Sequence, residues 1–127
     1  MSSVTRIAPW LSVSDGAGAL AFYKTAFGAV ELDRLEDDPG HVAVAQLSLN
    51  GAPFWLQEDR PTSPTALGGL SVRMVVNVDD PDQHHQRAVA AGATEVSPVT
   101  DSHGWRTGRV ADPFGHHWEF ARRLGTG

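Results

Sequence analysis

The segment VADPFGHHWEF, residues 110–120, is the most informative part of the sequence, because it belongs to an internal repeat. It predicts a turn at Asp112–Gly115 followed by a strand. The same order occurs 64 residues earlier, where the hairpin signal Asn50–Gly51 precedes another strand. A shift of 64 residues superimposes five identical pairs, namely Asp15 on Asp79, Gly28 on Gly92, Ala29 on Ala93, Glu31 on Glu95 and Gly51 on Gly115. We therefore predict two similar units.

Each unit is predicted to form a strand, a helix and three further strands. Asp15 and Asp80 stand at expected helix N-caps, because an Asp side chain accepts hydrogen bonds from the free N–H groups of a first turn. Gly28 and Gly92 stand where a left-handed residue ends a helix. The strands are predicted at Ile7–Val13, Val30–Leu35, Val42–Leu49, Phe54–Gln57, Ser71–Val78, Thr94–Val99, Trp105–Ala111 and His117–Ala121.

These elements predict one α+β domain over residues 1–127. Module 1 covers residues 5–58 and module 2 covers residues 70–123, with a linker at 59–69 that is rich in Pro, Ser, Thr and Gly. Neither module can bury both faces of its sheet alone. We expect paired βαβββ modules that form an open, curved eight-stranded mixed sheet, with the helices outside and a cup inside.

Composition excludes several classes of protein. The 127 residues include no cysteine, which excludes disulfides, thiolate metal sites and a cysteine nucleophile. The net charge is −5 and no basic cluster is visible, so we expect no nucleic-acid partner. No apolar run approaches the ~20 residues of a membrane span, and we expect a cytoplasmic protein without a membrane partner.

Two further segments complete a family pattern. LSVSD at residues 11–15, FY at 22–23 and FGA at 27–29, together with residues 110–120, resemble the vicinal oxygen chelate superfamily. That superfamily contains glyoxalase I, extradiol dioxygenases, fosfomycin-resistance enzymes and bleomycin-resistance proteins. AGA at 91–93 and GWR at 104–106 look most similar to its PhnB-like branch. The resemblance, from about Ile7 to Ala121, implies a fold of the glyoxalase/bleomycin-resistance type and a homodimer, in some members with exchanged modules.

The resemblance also implies four metal-ligand positions, two in each module, which here are Ala8, Trp55, Arg73 and Glu119. Alanine and tryptophan offer no lone pair, and arginine repels a cation. A catalytic metal needs about three protein ligands, so we expect no metal and no other cofactor. His117 shares a strand face with Glu119, which makes this pair the best catalytic or metal-binding candidate. A hydrogen-bonded polar pair is the alternative.

The remaining histidines give weaker signals. His84 and His85 are adjacent on the second helix, where they point about 100° apart, and we expect them at the surface. His116 is predicted on the helix side of its strand, and His41 and His103 lie near loops.

Alternation along the strands predicts which side chains line the cup. An aromatic surface with a few polar groups suits a planar or amphiphilic ligand. Trp10 and Trp55 could instead pack against each other or against a partner subunit. The pattern does not fix the facing of Trp105, Arg106 or Arg109. The predicted ligand-binding residues are Trp10, Trp55, Gln57, Arg73, Asn77, Trp105, His117 and Glu119.

Three hypotheses about function follow. The first is a metal-independent binding protein that holds a small molecule in the aromatic cup, for example to sequester an antibiotic. The second is a glyoxalase-like lyase, isomerase or dioxygenase that uses Glu119 with a histidine and a divalent metal. The third is a domain whose cup only buries a partner subunit. The sequence leaves open whether the chain is an enzyme.

Overall fold

Two units with the same order of elements make up residues 6–125, the part of the chain that the computed structural model describes. The first contains β1 (Trp10–Val13), α1 (Gly16–Phe27), β2 (Val30–Asp38), β3 (His41–Leu49) and β4 (Ala52–Glu58). A short 3-10 turn (Arg60–Thr62) and α2 (Pro64–Leu67) follow within the predicted linker. The second unit contains β5 (Arg73–Asn77), α3 (Pro81–Ala90), β6 (Thr94–Ser102), β7 (Trp105–Ala111) and β8 (His117–Arg123).

The strands form two four-stranded mixed sheets, with the orders β1-β4-β3-β2 and β5-β8-β7-β6. In each sheet the first strand pairs in parallel with the last, and the other neighbours are antiparallel. The predicted α+β class is therefore confirmed. The hydrogen-bonded ladders of the described residues stay within each unit, which leaves β1 and β5 as edge strands.

The helix ends follow the capping signals in the sequence. The Asp15 carboxylate accepts the Gly18 N–H at 3.0 Å, and the Asp80 carboxylate accepts the Gln83 N–H at 3.1 Å. Gly28 adopts φ 69°, the left-handed conformation that ends α1. No helix within residues 6–125 is long and apolar enough to cross a membrane.

The two units share one hydrophobic core. Trp118 of β8 lies against Phe27 of α1, with ring centroids 4.5 Å apart, and against Phe54 of β4 at 5.5 Å. Leu56 and Phe120 are also fully buried, so the four residues predicted beneath the helices, Phe54, Leu56, Trp118 and Phe120, are confirmed as core. The units therefore join through aromatic side chains on the helix sides of their sheets, which leaves the opposite face of each sheet open.

Candidate functional site

The four strand positions considered above as metal-ligand positions supply one ligand oxygen between them. Ala8 is exposed before β1, and Trp55 lies in β4. Arg73 begins β5, and its Nε lies 3.5 Å from Glu119 Oε1 in β8. A cation at this carboxylate would meet a guanidinium, so the donor set does not fit a divalent metal. Within residues 6–125, no three His, Asp or Glu side chains are grouped so as to hold a metal ion.

Trp10, Trp55 and Gln57 form what we call the indole patch on the open face of the first sheet. Trp10 and Trp55 are register partners in β1 and β4, and their rings stack with centroids 5.6 Å apart and planes at 25°. The Trp10 Nε1–H donates to Gln57 Oε1 at 3.1 Å, which fixes the ring. Trp10 is nevertheless 52% exposed, so the stacked pair presents aromatic surface to solvent. The alternative that the two indoles pack together is therefore observed.

Arg73, Arg109 and Glu119 form what we call the charged patch on the open face of the second sheet. Glu119 is the register partner of Arg109 in β7. Its Oε1 lies 3.5 Å from Arg73 Nε and 3.8 Å from Arg109 Nη2, both longer than a good charged hydrogen bond. The Arg109 Nε is buried without a hydrogen-bond partner. Two guanidinium groups thus share one carboxylate, and the patch keeps a net positive charge.

The residues of β7 face alternately, which settles three directions that the sequence left open. Trp105 and Arg109 lie on the open face, and the Arg123 guanidinium sits over the Trp105 ring at 5.9 Å. Arg106 turns to the other face, where it makes two hydrogen bonds of 2.8 Å with Asp82 of α3. Arg106 is therefore a structural residue, whereas Trp105 borders the charged patch.

His117 and Asn77 lie at opposite ends of the strand pair β5–β8. His117 is the register partner of Arg73, and Asn77 is that of Ala121. In the described residues no hydrogen bond or ion pair joins His117 to Glu119, although both lie on the open face of β8. The structure therefore shows these two side chains as neighbours on one face rather than as a bonded pair.

The indole patch and the charged patch occupy different sheets. In residues 6–125 no hydrogen bond, ion pair or aromatic contact joins them. A cavity of about 140 Å³ beside Trp55 is lined only by the first sheet, and one of about 350 Å³ beside Trp105 only by the second unit. The residues predicted to line one cup therefore form two surfaces in a single chain.

Two histidines make contacts inside the fold. His85 is buried against β7, where its Nε2 lies 2.8 Å from Glu95 Oε2, so the expectation that it lies at the surface is wrong. The room for its ring exists because Gly108 has no Cβ; an added Cβ would lie 2.7 Å from His85 Nδ1. His116 is buried before β8, and its Nε2 lies 2.8 Å from the Ser12 carbonyl oxygen in β1.

His41, at the start of β3, lies between two carboxylates. Its ring nitrogens contact Asp37 and Glu58, and these contacts, Glu58 first, raise the pKa of His41 to about 9. The pKa of Glu58 is lowered, first because its Oε1 accepts the Gly16 N–H at 2.9 Å and then because of His41. The Asp37 pKa is lowered mainly by His41. Because both ring nitrogens are engaged, His41 offers no free base.

The sequence gave no warning of a cavity of about 650 Å³ between the β3–β4 turn and β5. Only two predicted site residues, Arg73 and Asn77, reach it. The signal that could have found it is the small side chain of Ala52, where the repeat has His116 in the second unit. The cavity is lined by Ile7, Pro9, Leu49, Asn50, Ala52, Pro53, Phe54, Val72, Arg73, Met74, Val75, Val76, Asn77 and Trp118.

Comparison with known proteins yields one family. The model of the glyoxalase-like domain matches residues 10–121. The Mycobacterium bovis protein Mb0911c is 43% identical over 124 residues, which cover 91% of this chain and 82% of that protein. The Arabidopsis thaliana protein At5g48480 is 34% identical over 118 residues, covering 83% of this chain and 70% of that protein.

Solved structures have the same fold. TioX from Micromonospora sp. ML1 is similar with a TM-score of 0.77 and 31% identity, over 95% of this chain and 100% of that chain. The fosfomycin resistance protein FosX from Listeria monocytogenes has a TM-score of 0.74 over 98% of this chain and 96% of its own. Its identity is only 18%, so this likeness concerns the fold alone.

Proposed function

The chain belongs to the glyoxalase-like domain family, in the glyoxalase/bleomycin-resistance/dioxygenase superfamily, and we propose that it is a small-molecule binding protein that works without a metal ion. The observation that carries this proposal is the stacked, half-exposed indole pair Trp10–Trp55. It occupies a position where a metal site of this superfamily would need a ligand, and its chemistry is that of a stacking platform.

The indole patch suits the planar part of a ligand. Trp10 is held by its hydrogen bond to Gln57, so little side-chain freedom remains to be lost when a second ring stacks on it. Aromatic pairs gain about 0.5–1.5 kcal/mol beyond the burial of their surface. The Gln57 side chain, with its oxygen already engaged, still has an amide N–H₂ group that can donate to a polar edge of the ligand.

The charged patch suits the polar part of the same ligand. Arg73 and Arg109 hold Glu119 loosely, so both guanidinium groups can bind an acceptor. We propose that these residues, with Asn77, His117 and Trp105 beside them, orient the ligand's polar groups.

A homodimer would bring the two patches together. A single chain presents them on separate sheets, and each is bordered by its own small cavity. In the proposed dimer, the indole patch of one copy faces the charged patch of the other, and the cup predicted from the sequence is completed by both copies.

Fluorescence with the planar sulfonate dye 8-anilinonaphthalene-1-sulfonate tests the proposal. Binding should enhance dye emission and quench tryptophan emission, and Trp55→Ala should weaken it about tenfold, the usual effect of losing a central aromatic anchor. Leu67→Ala, which removes another exposed apolar side chain, is the matched control and should change nothing. Equal binding by all three proteins would refute the indole patch as the site.

A mixing experiment tests the shared cup. Trp55→Ala and Arg73→Ala should each bind the dye poorly. If each cup takes one patch from each copy, mixed dimers of the two variants contain one intact cup, and binding should partly return after the variants are unfolded and refolded together. No recovery, with mixed dimers shown by mass spectrometry, would place the site within one chain and contradict the proposal.

Two finer assignments complete the proposal. The PhnB-like branch rests on AGA at 91–93, GWR at 104–106 and the turn Asp112–Gly115. A cytoplasmic location is supported by the cysteine-free composition.

A further inference from the structure

The two units differ where the repeat would predict similarity, at the turns before their last strands. Gly51 and Gly115 have almost the same conformation, with φ 88° and 92°, so the two turns share a backbone form. The side chains around them differ, since the shift of 64 residues superimposes Asn50 on Phe114 and Ala52 on His116. The second unit therefore has two large rings where the first has an amide and a methyl group.

In the second unit those rings fill the space beside the first unit. Phe114 is buried against Phe22, with centroids 6.2 Å apart. His116 reaches the Ser12 carbonyl, which lies on the open edge of β1, at 2.8 Å. The edge of β1 is thus partly covered by the β7–β8 turn.

In the first unit the corresponding space is empty of side chains and forms the cavity of about 650 Å³ beside the edge of β5. Asn77 stands three residues before the N-cap Asp80, as Ser12 does before Asp15, so its carbonyl is the counterpart of the one that His116 binds. Ala52 has no donor to offer it. Residues 73, 75 and 77 direct their backbone groups away from β8, because Val78 N–H donates to Ala121 O and directions alternate along a parallel strand.

The lining specifies a ligand chemistry. Of the described residues around the cavity, Arg73 alone is charged, and most of the others are apolar. The Arg73 side chain is 48% exposed and its 3.5 Å approach to Glu119 leaves its other guanidinium N–H groups free of bonds in the described residues. Guanidinium groups bind carboxylates through two parallel hydrogen bonds. The volume is within the range of small-molecule pockets, about 300–1,000 Å³.

We infer that this cavity binds a small organic acid, with its aliphatic or aromatic body between the β3–β4 turn and β5 and its carboxylate on Arg73. The site shares Arg73 and Asn77 with the cup of the proposed function but contains no indole of the indole patch. It therefore stands or falls independently of ligand stacking on Trp10 and Trp55.

Backbone chemical-shift mapping with sodium octanoate tests the inference, with 1-octanol as the neutral probe of the same length. Octanoate should shift the amide signals of residues 49–54 and 72–77 and should bind about tenfold more tightly than 1-octanol, since a charged hydrogen bond is lost with the alcohol. Shifts elsewhere only, or equal affinity for both probes, would overturn the inference.

Variants separate this site from the indole patch. Ala52→Leu fills the cavity and Arg73→Gln removes the charge; each should weaken octanoate binding about tenfold. The second change should spare 1-octanol. Trp55→Ala should leave octanoate binding intact even if it abolishes dye binding. Octanoate binding that survives both Ala52→Leu and Arg73→Gln, or that is lost with Trp55→Ala, contradicts a separate acid site, as does displacement of octanoate by a neutral acetylated and amidated valine-rich hexapeptide.

Discussion

Asp112 shows how a single side chain joins the two units. Its Oδ2 accepts the Tyr23 hydroxyl at 2.7 Å and the Trp118 Nε1–H at 2.9 Å. Its Oδ1 accepts the backbone N–H groups of Phe114 and His116, both at 2.9 Å. Burial, and then the nearby carboxylate, raises the pKa of Tyr23 well above its usual range. Tyr23 thus remains a neutral donor, and the buried Asp112 carboxylate is stabilised by four hydrogen bonds.

Removing either partner of this contact should destabilise the protein to different degrees. Tyr23→Phe removes one of four donors and should cost about 1–2 kcal/mol. Asp112→Ala leaves buried donors without an acceptor and should cost about 3–5 kcal/mol. Urea unfolding measures both values, and the exposed Asp79→Ala is the control, expected within about 0.5 kcal/mol of the parent. Equal losses for both variants would contradict this description of the network.

His41 predicts a pH dependence of stability. Because its pKa is raised to about 9, its contribution should be complete below its ordinary pKa of about 6.5 and should disappear as the pH rises through 9. The carboxylates of Asp37 and Glu58 have lowered pKa values, so their contribution is lost only in acid. Added salt should reduce the effect, because all three side chains are partly exposed.

Urea unfolding between about pH 5.5 and 9.5 measures this contribution as the difference in unfolding free energy between the parent protein and His41→Asn. The difference should be largest at the acid end and fall toward zero at the alkaline end. His103→Asn, in an exposed turn, is the control and should show no such slope. A difference that is flat or grows with pH would show that His41 is not a protonated bridge.

At the scale of elements, α1 depends on a close approach to β3 at its first residue. A Cβ added to Gly16 would lie 2.0 Å from the Val42 carbonyl oxygen, a backbone atom that cannot move away easily. Gly16→Ala should therefore destabilise the protein by about 1–3 kcal/mol, although alanine is the better helix former by about 1 kcal/mol. Urea unfolding is the measurement, with Gly125→Ala, which meets nothing within 4 Å, as control. Unchanged or increased stability would contradict the packing.

The sequence predicted the elements better than their ends. Strands β2 and β6 continue to Asp38 and Ser102, beyond the predicted ends at Leu35 and Val99, because their hairpin partners extend the ladder through charged residues. Local pattern cannot show this, since pairing with a neighbour rather than apolar alternation holds these ends. His85 was missed for a similar reason: its burial depends on Glu95 and Gly108, which the sequence does not place near it.

The same limit applies to the candidate site. Alternation assigned Trp10, Trp55 and Glu119 to the open faces, as observed, because the period of a strand is local. It could not show that these faces belong to two surfaces, since that depends on how Trp118 and Phe54 pack between the units. The cavity beside β5 was out of reach for the same reason.

At the scale of the molecule, the exposed apolar side chains on the open faces favour self-association. Light scattering during gel filtration should give twice the chain mass of 13.6 kDa. Trp10→Asp should shift the protein toward the monomer, because the charge would be buried at the proposed interface, whereas Val96→Asp, on an exposed position of β6, should not. A monomeric mass for the parent protein across the concentration range would contradict the shared cup.

The account depends most on the claim that ligand binding here needs no metal ion. Elemental analysis of protein purified without chelators, then titrated with 8-anilinonaphthalene-1-sulfonate before and after treatment with EDTA, tests it most directly. The account predicts metal far below one ion per chain and the same dye affinity in both samples. One equivalent of a divalent metal, lost in Glu119→Gln together with dye binding, would contradict it.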